Sequence, residues 1–315
     1  MDESFALDLA RRVREAVLPL MGTPGARDRV GTAHGGDPTY AIDAAAEHVV
    51  VEAFAGRPDV AFFTEDEGLT VRGRPRSLFL VDPIDGTRPA AAGFETSCVS
   101  IAVAPYGRPT IGDVSYGCIV ELASGAEYEA RRGGGATSTR RLRPTTSRNL
   151  GALFWAGGFR GQPAVITAVV LQDLFDAPGS EGAFFDQGSA ATSLACVARG
   201  SVDAFVDVGP TIIEAVPESR AGFERVGGGS ILNTTTYDTA AGYLLAAELG
   251  LPLSDGTGAS LDGVPLLDDE GKASTVSSVC AATPELHAEI LDAVSRGLKR
   301  LRSLMDEAGL GPFVT

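Results

Sequence analysis

The sequence predicts a mixed protein, an α+β half followed by an α/β half. Three observations carry that reading. Two helical patterns and then a run of short strands fill the first 130 or so residues. Strands alternate with helices beyond residue 147, as in a sheet covered by helices. Between the two patterns lies the polar stretch Arg143-Pro144-Thr145-Thr146-Ser147-Arg148. Domains commonly run to about 150 residues, so 315 residues divide naturally in two. The expected division is 1–145 and 146–315.

Taken in order, Phe5, Leu9, Val13, Val17 and Leu20 recur at helical spacing and predict an amphipathic first helix. A Gly-rich, charged loop spans 22–36, and the Asp37-Pro38-Thr39 turn opens a second helix over 41–55. Val60–Phe63 and Ser77–Val81 read as buried strands, and 97–104, 109–119 and 125–130 as antiparallel strands. Gly133-Gly134-Gly135 is expected to be a hairpin loop, because no helical pattern follows it. The second half reads as strand 151–155, helices 161–175 and 189–199, strand 203–207, helix 239–249, strand 276–281 and helix 284–308. Segment 209–236 fits neither period and is expected to be a long loop containing Gly227-Gly228-Gly229.

Composition narrows the function. The 26 Lys and Arg against 41 Asp and Glu leave a formal charge of −15. Such a chain repels phosphate backbones and anionic lipid, which argues against a nucleic-acid scaffold or membrane docking. The first twenty residues lack the order of a signal peptide, and no apolar run nears the ~20 residues of a membrane span. A soluble, cytoplasmic chain is therefore expected. Cys98, Cys118, Cys196 and Cys280 are far apart and form no metal or redox pair; they read as buried thiols. His34, His48 and His287 have no metal-ligand spacing, and with lysine only at Lys272 and Lys299 Schiff-base chemistry is disfavoured.

The informative string is Asp82-Pro83-Ile84-Asp85-Gly86-Thr87, at the end of an apolar strand. Ligands of α/β layers gather at strand ends. Hard cations such as Mg²⁺ take carboxylates and peptide carbonyls. Asp82 and Asp85 would supply side chains and Ile84 its carbonyl, while the amides of Gly86 and Thr87 would face an anion. Glu65-Asp66-Glu67 ends a second strand; brought near Asp82 and Asp85, it would need cations to offset like-charge repulsion. Asp238, in Tyr237-Asp238-Thr239-Ala240-Ala241-Gly242, opens an apolar helix and fits an N-cap, with small neighbours that permit close packing.

With Gly188-Ser189-Ala190-Ala191, these motifs resemble the inositol monophosphatase family, part of the lithium-sensitive, metal-dependent phosphatases that include fructose-1,6-bisphosphatase. The resemblance runs along nearly the whole chain. It implies a layered α-β-α-β-α sandwich and Mg²⁺-dependent hydrolysis of a phosphate monoester. It implies two or three Mg²⁺ ions, with Mn²⁺ as a substitute and Ca²⁺ or Li⁺ as inhibitors, and a homodimer. By motif match, Glu65, Asp82, Asp85, Asp238 and the Ile84 carbonyl hold the metals, most of them from 1–145 and the last aspartate from 146–315. Thr87 orients the attacking water, Asp43 is its acidic partner, and Glu65 shares in catalysis. Gly86 and Thr87 bind the phosphate, and Ser189 the substrate.

Two departures bear on the substrate. Arg88 follows Thr87 where the family carries an uncharged segment, and its fork suits a second anionic group. About thirty residues separate Asp207 from Asp238, where the family has only a few between its substrate-contacting acid and last metal aspartate. Asp207 and Glu214 are both candidates for that contact. The expected activity is a phosphomonoesterase for a sugar, cyclitol or nucleoside phosphate. The alternatives are fructose-1,6-bisphosphatase, a 3′-phosphoadenosine-type nucleotidase, and a non-catalytic binding protein on the same fold.

Overall fold

The computed structural model describes residues 2–33 and 38–308, so His34 and Asp37 lie outside it. The chain runs α1 (Asp2–Val17), β1 (Arg29–Thr32), β2 (Pro38–Tyr40), α2 (Ala41–Ala55), β3 (Val60–Thr64), β4 (Gly68–Arg72), β5 (Ser77–Asp85), α3 (Thr87–Ala92), β6 (Cys98–Pro105), β7 (Tyr116–Glu121), β8 (Glu127–Arg131) and β9 (Gly135–Ser138). It continues with β10 (Phe154–Gly157), α4 (Ala164–Asp176), β11 (Ala183–Asp186), α5 (Ala190–Arg199), β12 (Ala204–Asp207), α6 (Gly209–Ala215), α7 (Arg220–Val226), α8 (Thr236–Glu248), β13 (Leu253–Ser254), β14 (Ser278–Ala281) and α9 (Pro284–Ala308).

Seven strands form one sheet, β4-β3-β5-β6-β7-β8-β9, and five form another, β11-β10-β12-β14-β13. Side-chain alternation decides what covers each face. Phe62, Phe79, Val81, Val99 and Ile101 point to α1 and α2, meeting Leu9, Val13, Ile42 and Phe54. Ala61, Phe63, Leu78 and Leu80 point the other way, into a core shared with Leu194 of α5, Leu244 of α8, and Phe205 and Cys280 of the second sheet. Trp155, Val206 and Val279 turn outward to Val170 of α4 and Ile290 of α9. The result is the expected α-β-α-β-α sandwich, with α5 and α8 as the middle layer. Small residues make that layer thin. A Cβ on Gly117 would stand 2.9 Å from the Ala241 Cα. All four cysteines are buried and free, and no described helix is long and apolar enough to cross a membrane.

Several local expectations are corrected. Segment 209–236 is not a loop: α6, a single 3₁₀ turn and α7 fill its first two-thirds. Each piece has seven residues or fewer, too short to print a helical period, and Pro210 and Pro217 open the first two. The strand expected at 109–119 is a 3₁₀ turn at Ile111–Asp113 followed by β7. Helix α3 goes unannounced because it has only six residues, with Pro89 in its first turn, where a missing N–H costs nothing. Strands β1, β2, β4, β9, β11 and β13 are likewise additions, β1 lying within the stretch expected to be a loop at 22–36 and pairing with β2.

Candidate active site

The seven-stranded sheet delivers the carboxylates of the central string. Asp82 and Asp85 are three residues apart, so in a regular strand they would face opposite sides. The ladder with β6 slips between them: Asp82 pairs with Ser100 and Asp85 with Cys98. That one-residue bulge, at a proline that has no N–H to give, turns both carboxylates to the same end of the strand.

Asp85 is buried against the start of α5. It accepts hydrogen bonds from the Ser189 hydroxyl at 2.7 Å and from the amides of Ala191 and Ala190 at 2.6 and 3.3 Å. Asp238 comes from α8. Its helix is capped by Thr235, and Asp238 is the third residue in, accepting from the Thr235 amide at 2.6 Å and hydroxyl at 2.9 Å. The N-cap expected of Asp238 thus belongs to Thr235, in a reciprocal capping box that aims the aspartate inward. Oxygens of Asp82, Asp85 and Asp238 lie within 4.8 Å of one another.

Glu65 follows β3 and lines the same cavity, outside this tight trio. Of the four carboxylates expected at the metals, the structure draws Asp82, Asp85 and Asp238 into the closest group. Burial, then mutual repulsion, pushes these carboxyls up, Glu65 to about 8 and Asp85 to about 7. Asp82 is raised by burial and then by Asp85, and it hydrogen-bonds Asp238, which is raised by burial too. Without a cation this floor retains protons that free carboxylates would release near neutral pH.

Beside the trio, Gly86 at φ +92° makes the turn into α3. A Cβ there would meet the Thr96 carbonyl at 2.9 Å, so only glycine fits. Thr87 begins α3, and its hydroxyl lies 3.3 Å from the Ile84 carbonyl and hydrogen-bonds Asp43. Asp43, in the first turn of α2, accepts from the Tyr40 amide at 2.9 Å and is pushed up to about 6, chiefly by burial.

These groups line one cavity of about 730 Å³. Arg88 is exposed on its wall, with its guanidinium 6.0 Å from the Tyr40 ring centre. Asp207 closes another end, buried and accepting from Gln162 at 2.8 Å and Thr234 at 2.6 Å. Ser189 lines the cavity, but its hydroxyl is engaged with Asp85 and, at 2.8 Å, Thr192. It holds the carboxylate rather than presenting itself to a substrate. Glu214 is a correction: it lies exposed on α6 and is not part of the lining, because the segment coils away as a helix. Arg160, Lys272 and Asn233 also line the cavity, a placement not expected from the sequence. The available signal was Gly157-Gly158-Phe159-Arg160-Gly161, a glycine-rich break at a strand end.

A sandwich of this layering with buried carboxylates at its strand ends defines a class, and comparison with known proteins identifies it. Residues 2–299 match the model of the inositol monophosphatase family, and the chain belongs to that family. It is a phosphatase, a hydrolase of phosphoric monoesters, and its acidic cluster suits metal binding. It is 29% identical to the fructose-1,6-bisphosphatase/inositol-1-monophosphatase of Methanothermobacter thermautotrophicus, over 92% of this chain and 95% of that one. It is 30% identical to the Nus factor SuhB of Xylella fastidiosa, over 74% and 73%. The fold matches the inositol monophosphatase of Thermotoga maritima with a TM-score of 0.68 at 21% identity, covering 96% of this chain and all of that one.

Proposed function

We propose that this phosphatase is Mg²⁺-dependent and acts on a small polar metabolite phosphate, a sugar, cyclitol or nucleoside phosphate bearing a second anionic group. The carrying observation is the trio Asp82, Asp85 and Asp238, gathered within 4.8 Å on the floor of a large cavity. The fit to a hard divalent ion rests on chemistry: every donor is a carboxylate or peptide-carbonyl oxygen, and burial with mutual repulsion raises Asp82 and Asp85. Asp82, Asp85, Asp238, Glu65 and the Ile84 carbonyl would hold the metal. Bound there, Mg²⁺ would supply charge compensation for the phosphoryl oxygens and acidify a water.

The remaining roles belong to the chain. Thr87 gives its hydroxyl proton toward Asp43, which leaves its oxygen free to accept from an attacking water. Asp43, raised to about 6, takes up a proton readily near neutral pH. The Gly86 and Thr87 amides face the phosphate. Arg88, Arg160 and Lys272 on the cavity wall support the second anion, for which Arg is well shaped. A bisphosphate is favoured within this class by those three cations and by the fructose-1,6-bisphosphatase name of the archaeal relative. The homodimer implied by the resemblance belongs to the same reading and is measured by sedimentation.

The test is phosphate release from a panel that includes inositol monophosphate, fructose 1,6-bisphosphate and a simple alkyl phosphate. Chelation should abolish turnover and Mg²⁺ restore it. Arg88→Ala should raise KM for the doubly anionic substrate by about tenfold or more, the worth of a charge-assisted hydrogen bond. The alkyl phosphate should be unaffected. Full activity under chelation refutes the metal reading; equal losses on both substrates refute the assignment of Arg88.

A further inference from the structure

A second recess adjoins the catalytic cavity, with Thr96 and Gln187 lining both. It has a volume of about 430 Å³ and opens where β7, the segment after β9 and α5 meet. Thr192, Cys196 and Arg199 line it at intervals of four and three residues, one face of α5. Arg140 and Arg141 form the opposite wall. Three guanidinium groups thus converge on one concavity in a chain whose net charge is −15.

The floor is a built polar site. Glu121 is only 6% exposed, and its carboxylate accepts from Arg199 at 2.5 Å, from the Tyr128 hydroxyl at 2.9 Å and from the Ser124 hydroxyl. Those donors satisfy Glu121 and fix Arg199, whose other nitrogens bond Ser201 Oγ at 2.8 Å and Cys196 Sγ at 3.1 Å. Arg140 keeps a loose approach to Glu121 at 3.9 Å, and Arg141 has no hydrogen bond or ion pair with the described residues. Glu95, exposed on the rim, is the other carboxylate of the lining. With Arg199 and Glu121 cancelling each other as an ion pair, Arg140 and Arg141 against Glu95 leave the recess positive by one charge. It also offers neutral donors in Thr192 and Gln187.

We propose that this recess is a second, non-catalytic binding site for a small oxyanion of the phosphate or carboxylate class. Arg140 and Arg141 grip the anion from the wall of long, exposed side chains, and the pinned Arg199 fixes its orientation. The site is independent of the catalytic reading, since none of the carboxylates assigned to metal lines it.

Metal chelation makes the test selective. Chelation removes any metal-held phosphate from the catalytic cavity, and the loss of Arg88 and Arg160 removes most of its cationic wall, so inorganic phosphate that still binds the full chain reports a site elsewhere. Calorimetric titration at pH 7 should give saturable binding with one phosphate per chain. The double variant Arg140→Ala, Arg141→Ala should weaken it at least about tenfold. Both residues are exposed, so the variant should retain its circular dichroism and melting temperature. The control Arg88→Ala, Arg160→Ala should bind phosphate as the parent does. The proposal is overturned if no saturable binding occurs, if the Arg140/Arg141 variant binds unchanged, or if binding disappears in the Arg88/Arg160 control.

Discussion

Asp85 shows how a single side chain ties chemistry to stability. It is buried, it takes three hydrogen bonds from the start of α5, and it faces Asp82 and Asp238. Substituting Asp85→Asn removes one charge from that group. In the metal-free protein this relieves repulsion, so the melting temperature should rise or hold. Turnover should fall at least about a hundredfold, because loss even of a residue behind a metal ligand costs 10–100-fold. Melting curves and phosphate release, each measured with and without Mg²⁺, check both halves. Undiminished turnover at saturating Mg²⁺ would remove Asp85 from the ligand set.

At the scale of elements, the site is built from the ends of β5, α2, α5 and α8, and capping chemistry aims each helix. Asp43 and Asp238 occupy equivalent third positions, each bonded back to the residue that precedes its helix. Ser189 is the cap of α5 and also a ligand of Asp85. Ser189→Ala should therefore destabilise the fold by about 0.5–2 kcal/mol, as for other lost caps. It should also weaken Mg²⁺ activation, since Asp85 loses its hydroxyl partner. A substrate role would instead raise KM and leave the metal titration unchanged, so the Mg²⁺ dependence of kcat separates the two.

For the whole molecule, the buried carboxyls in and behind the cavity set the response to pH. Asp43 is raised to about 6, Glu47 and Asp85 to about 7 and Glu65 to about 8, each first by burial. The folded chain therefore holds protons that the unfolded chain releases near pH 4. Stability from these groups is complete below pH 4 and is lost as pH rises through about 6 to 8. Thermal melting under chelation should fall by about 5 °C or more across that range. Saturating Mg²⁺ should flatten or reverse the slope, because deprotonated ligands bind the ion. A melting temperature indifferent to pH under chelation would contradict the buried-acid account. The layering yields a further expectation. The face of the first sheet opposite α1 and α2 is covered by α5 and α8, so residues 1–145 alone expose Phe63, Leu78 and Leu80. That fragment should fail to show cooperative unfolding, and the full chain should unfold in one transition that crosses residue 145.

The sequence alone determined the layered class, the long helices and the acidic strings, because long periods and dense motifs are written locally. α1 needed only its apolar spacing and α2 the turn that precedes it, and Asp82 through Thr87 announced itself by composition. Short elements stayed hidden: α3, α6 and α7 have seven residues or fewer and print no period. Only the tertiary structure decided which carboxylates meet. Asp238 reaches Asp82 across 156 positions because α8 packs on the first sheet, and Glu65, nearer in sequence, stays outside the closest group. It also decided that Ser189 serves Asp85, that Glu214 faces solvent, and that Arg160 and Lys272 reach the cavity. Each of these depends on the packing of residues far apart in the chain, and local propensity carries no record of such contacts.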